Sequence, residues 1–109
     1  MSTFHSEMEE AVLDLLIEGN CPIIFLLGRT LYKKIPDKLK PLMDSARLLI
    51  ISLSEQKRIT RESAFECNKY ICEQSTDITF GFLSHHSSLR PLYQTAIDNN
   101  KQVRVITEV

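Results

Sequence analysis

Apolar positions along this chain fall into two spacings. Met8, Val12, Leu15 and Leu16 recur at helical intervals. Ser6 precedes them with Glu9 three residues on, the spacing of a capping box. The pattern predicts a helix over about 6–18, closed by Gly19-Asn20. Pro22 to Leu27 is then a continuous apolar run of strand length, as expected of a parallel strand buried on both faces. Gly28-Arg29-Thr30 reads as a loop. Pro36 can open a second helix with Leu39, Leu42 and Met43 turned inward. Arg47 to Ser52 repeats the buried-strand pattern, followed by a polar, basic loop from Leu53 to Ile59.

The second half continues the alternation. Thr60 can cap a helix running to about Gln74, with Ala64, Cys67 and Ile71 on one face. Asp77 to Leu83 reads as a strand, and residues 84–88 as a loop. Leu89 to Asn99 reads as a helix that tolerates Pro91 in its first turn. Asn100 suits a left-handed cap, and Gln102 to Ile106 reads as the last strand. Strict α-β alternation with short connections predicts right-handed crossovers. The predicted fold is therefore α/β, a three-layer domain with a mostly parallel sheet of about four strands, filling residues 1–109 as one domain.

Composition narrows the function classes. The 109 residues are 43% hydrophobic and 25% charged, with a formal net charge of -1. That apolar share suffices for a core. The near-zero charge argues against binding duplex DNA through a general basic field, while leaving room for a local basic patch. No apolar stretch approaches the roughly 20 residues of a membrane span. The first residues do not read as a signal peptide. Cys21, Cys67 and Cys72 have neither disulfide nor zinc spacing, and read as thiols in a reducing compartment. The expected location is the cytoplasm, with no metal and no cofactor.

Ligands of open parallel sheets gather beyond the carboxyl ends of the strands. Arg29, Arg58, His85 and Ser88 fall in or beside the loops expected there, and His5 and Ser6 stand where the first helix begins. Helix N-termini attract anions. With Arg29, Lys57 and Arg58 nearby, this rim suits phosphate. Ser6, Thr60 and Ser88 would equally serve as plain helix caps, and Arg29 and Arg58 as solvated side chains. Neither a dinucleotide-type glycine fingerprint nor a P-loop is present, and the chain has only three glycines. No nucleophile, base and orienting group can be assembled, so no catalytic residue is assigned.

Taken in order, several short motifs resemble one family. They are Phe4-His5-Ser6 with Glu9, Leu15-Leu16, Pro22-Ile23, Gly28-Arg29, Ile35-Pro36, Leu39, Arg47-Leu48-Leu49, Ser52, Arg58 with Thr60 and Glu62, and Asn68-Lys69. The series resembles the bacterial DNA-processing protein A (DprA/Smf) superfamily, nearest to its small DprA-like members, and covers nearly the whole chain. The resemblance implies a Rossmann-like domain of the kind used for nucleotide-type ligands and single-stranded DNA, of which this chain matches the C-terminal half. The chain departs from the family at Ser2-Thr3, where a Ser-Gly turn is usual. Cys67-Asn68-Lys69 stands in place of Arg-Asn-Arg, and Ser87-Ser88 in place of a glycine-containing loop.

Three functions remain open on these grounds. The first is a non-enzymatic module for a nucleotide, phosphorylated small molecule or single-stranded nucleic acid, using His5, Ser6, Arg29, Arg58, Asn68, Lys69, His85 and Ser88. The second is an interaction protein whose ligand site is lost. The third, an enzyme such as a nucleotide hydrolase, has the least support. A homo-oligomer is expected, joined through the Ile23–Leu27 strand or through the first helix around Met8, Val12 and Leu16.

Overall fold

The computed structural model describes residues 1–108. The order is α1 (Glu7–Glu18), β1 (Ile23–Leu27), a 3-10 turn (Asp37–Leu39) leading into the short α2 (Lys40–Asp44), and β2 (Leu48–Ser52). It continues with α3 (Arg61–Gln74), β3 (Asp77–Leu83), α4 (Arg90–Asp98) and β4 (Gln102–Glu108). The α/β alternation read from periodicity is therefore present. The pairing differs from a single sheet of about four strands: β1 pairs with β2 and β3 with β4, each pair parallel, as two ladders of two strands. Side-chain patterning marks a segment as a strand but does not say which other strand receives its hydrogen bonds. The chain forms two compact units, residues 1–67 and 68–109.

The first unit is organised around β1. Ile23, Phe25 and Leu27 are buried with Phe4, Leu13, Leu39 and Leu42. Leu16, Ile17, Tyr32, Ile35, Leu48 and Ile50 pack against this cluster. Both Leu39 and Leu42 turn inward as expected, whereas Met43 is exposed, because only one turn and a half of helix forms and its apolar face is filled by the two leucines. Leu49 is 55% exposed, so β2 is not buried on both faces as β1 is.

One long-range clamp closes α1. Arg47 donates from Nη2 to the carbonyls of Leu16 and Cys21 at 3.0 and 3.2 Å, and from Nη1 to that of Ile17 at 3.4 Å. The last carbonyls of a helix have no intrahelical donor. No basic residue stands in the last turn of α1, so a guanidinium from the start of β2 supplies donors and opposes the negative helix end.

In the second unit, β3 and β4 run in register from Asp77↔Gln102 to Leu83↔Glu108. Ile78, Phe80, Leu83 and Ala96 form its buried cluster, flanked by Cys72, Leu89, Tyr93, Val103 and Val105. Phe80 and Tyr93 meet edge to face at 5.7 Å, a favoured aromatic geometry. Asn100 takes φ 59, the left-handed conformation expected of it after α4. Lys101 Nζ donates to the carbonyls of Cys72 and Glu73, closing α3 in the way that Arg47 closes α1. Among the described residues no helix is long and apolar enough to cross a membrane.

Candidate functional site

Three segments of the first unit leave its sheet at the same end. β1 and β2 are parallel, with Phe25 opposite Ile50. On the other edge of β1, Ser2 forms a parallel bridge to Phe25, with Ser2 N–H donating to the Ile24 carbonyl at 3.1 Å and Leu26 N–H to the Ser2 carbonyl at 2.9 Å. Parallel pairing makes all three segments run the same way. The residues after Ser2, after Leu27 and after Ser52 therefore emerge together at the carboxyl end.

The exits after Leu27 and after Ser52 are wired to one another. Ser52 Oγ donates to the Arg29 carbonyl at 2.6 Å. Leu53 N–H donates to the Leu27 carbonyl at 2.9 Å, and Thr30 N–H to that of Gln56 at 2.8 Å. The first turn of α3 closes on the same loop. A β-carbon added to Gly28 would lie 2.9 Å from Ser63 Oγ and 3.3 Å from Ser63 Cβ, so any side chain here would force Ser63 to shift. Ser63 is itself fixed by a reciprocal cap: its Oγ accepts from Thr60 N–H at 2.8 Å, and its N–H donates to Thr60 Oγ1 at 3.0 Å.

The start of α1 is held by Glu9. Its Oε1 accepts from Ser2 Oγ at 2.6 Å and Thr3 Oγ1 at 3.1 Å, and its Oε2 accepts from Ser6 N–H at 3.2 Å. Ser6 Oγ accepts from Glu9 N–H at 3.2 Å, which completes the capping box. Partial burial pushes the Glu9 carboxyl up, but the donors from Ser2, Ser6 and Thr3 together hold it below the ordinary glutamate value. Phe4 takes φ 49, a left-handed conformation costly for a bulky residue. It is held by burial, by a ring contact with Phe25 at 5.2 Å and by donation of its N–H to Ser2 Oγ at 3.0 Å.

Of the residues singled out from sequence, four belong to this unit. His5 and Ser6 are exposed at the start of α1, and the Ser6 hydroxyl is engaged as the cap. Arg29 is half-buried, donates from Nε to the Thr30 carbonyl at 3.1 Å and lies over the Tyr32 ring at 4.9 Å. Arg58 is exposed in the loop joining β2 to α3, both ends of which sit at the carboxyl end.

The other four lie in the second unit. Asn68 is half-buried on α3, and Lys69 is 4.0 Å from the Glu73 carboxylate one turn on. His85 and Ser88 are exposed between β3 and α4. The hydroxyl that serves the turn into α4 is that of Ser87, which accepts from Leu89 N–H at 3.1 Å, and not that of Ser88. α4 begins at Arg90, so Ser87 stands at the turn preceding it.

Sequence reasoning missed Tyr32 under Arg29, and Ser63 against Gly28. The second had a local signal, since Thr60 and Ser63 stand at capping-box spacing with serine in the acidic position. Compared with family models, curated proteins and solved structures, the chain matches none of them.

Proposed function

We propose that the first unit is a non-enzymatic binding module for a phosphate-bearing ligand: a nucleotide, a phosphorylated small molecule or a single nucleic-acid strand. The observation that carries this reading is the joining of the β1 and β2 exits at one end of the ladder, with the start of α3 against Gly28 and with Arg29 and Arg58 carried on those two loops. Carboxyl ends of parallel strands with a helix N-terminus against a glycine form a setting in which backbone donors and guanidinium groups can meet an anion. The DprA-like, Rossmann-type resemblance supports the same reading.

Within this rim the two helix starts are not equivalent. The Glu9 carboxylate already sits against the first turn of α1 and repels a second anion there. The reading therefore places phosphate by Gly28, Arg29 and the first turn of α3, with His5 at the margin. Titration of the ¹⁵N-labelled chain with inorganic phosphate and with adenosine monophosphate tests it. The amides of Gly28, Arg29, Arg61 and Glu62 should move most, and Arg29→Ala should weaken binding about tenfold or more, the usual worth of a charge-assisted contact. If these amides stay unmoved at millimolar ligand, the binding reading fails.

A further inference from the structure

α1 carries two apolar faces where a surface helix needs one. Leu13 is buried, and Leu16 and Ile17 pack on the same core. Met8, Ala11, Val12 and Leu15 stand at i, i+3, i+4 and i+7 on the outward side and are all exposed. Val12 is 42% exposed and Leu15 70%. At 3.6 residues per turn these four make one stripe. Beside it runs a second row, Glu7, Glu10, Asp14 and Glu18, all exposed, and α1 contains no basic residue.

The complement of that row lies on the same unit. Residues 33–40 hold Lys33, Lys34, Lys38 and Lys40 against the single acid Asp37. Lys38 Nζ is 3.5 Å from Asp14 of α1, so the acidic row and the basic segment adjoin on one surface. The exposed apolar residues Leu31 and Met43 flank the basic segment. A surface with an acidic half, a basic half and apolar stripes is self-complementary under a two-fold rotation, which sets each acidic row against the other copy's lysines. Strand pairing through β1 is the weaker alternative, since β2 occupies one edge and Ser2 takes the Ile24 carbonyl and Leu26 N–H on the other.

We infer that a second copy of this chain docks on the outward face of α1, burying Met8, Ala11, Val12 and Leu15 against the partner, with its lysine segment facing the acidic row. Analytical ultracentrifugation of the full chain, from micromolar to submillimolar concentration, tests this. A dimer of twice 12.5 kDa is expected. Leu15→Glu should raise its dissociation constant about tenfold or more, because the buried apolar contact is lost. Leu15 points outward, so the variant should keep the far-ultraviolet circular dichroism of the parent. Ala11→Glu serves as an independent second variant and should act in the same direction. Raising salt should also weaken the dimer, as screening removes the charge complement. A monomer throughout the range, or a dimer indifferent to both substitutions or to salt, would overturn the inference.

Discussion

Replacing Glu9 by glutamine removes one charge and keeps the side-chain shape. In the folded chain the carboxylate accepts three hydrogen bonds, from Ser2 Oγ, Thr3 Oγ1 and Ser6 N–H. The amide retains one oxygen and presents an NH2 group where an acceptor is required. With the amide oxygen on Ser6 N–H, the NH2 group meets the two hydroxyls, which must turn from donors into acceptors. In the opposite orientation it faces the Ser6 N–H, and in both the charge that strengthens the three bonds is lost. A hydrogen bond to a charged group contributes about 1.5–3 kcal/mol, and one capping interaction about 1 kcal/mol. Since the site is only partly buried, a loss of about 2 kcal/mol at neutral pH is the expected size.

The pH dependence is sharper than the magnitude. Glu9 is held below its ordinary value in the folded chain, so the unfolded state binds its proton first as pH falls. The stabilisation is fully present above about pH 4.3, the unperturbed glutamate value, and is lost as pH drops through the lower folded value. The neutral Glu9→Gln variant cannot lose it twice. Urea unfolding followed by circular dichroism should therefore show a parent-minus-variant gap at pH 7 that closes under acid. A gap absent at pH 7, or one that stays constant into the acid range, would refute the reasoning.

Two further predictions rest on contacts within the units. Gly28→Ala should destabilise the first unit by about 1–3 kcal/mol, the usual cost of overpacking, because the new methyl meets Ser63 at 2.9 Å and 3.3 Å. Gly28→Ala with Ser63→Ala should recover part of that loss in a double-mutant cycle, and strict additivity would show that the contact is not the cause. Among the thiols, Cys21 is exposed, while burial raises both Cys67 and Cys72, with Lys101 offsetting part of the rise at Cys72. Titration with a disulfide reagent at neutral pH should give one fast equivalent per chain, lost in Cys21→Ser; three fast equivalents would contradict the burial.

What this sequence determined by itself is local. Ser6 with Glu9, the apolar run before Gly28, Thr60 ahead of α3 and Asn100 after α4 each act within a few residues, and each element lies where its periodicity and caps predict. The loops that follow Leu27 and Ser52 were also legible as a rim, because parallel strands with short crossovers must release their chains at one end. Periodicity records which side chains share a face; it does not record which faces meet. Pairing into two ladders, Ser2 beside Phe25 and Arg47 on the carbonyls of Leu16, Ile17 and Cys21 join residues far apart in the chain, with no local signature. The same holds at the candidate site. Gly28 announces a tight place, but only tertiary packing brings Ser63 to it and sets Arg29 over Tyr32. On α1 the helical spacing identified Met8, Val12 and Leu16 together. The fold separated them, turning Leu16 onto the core and Met8 and Val12 to the outside, because one side of a helix is filled by a single layer of core side chains.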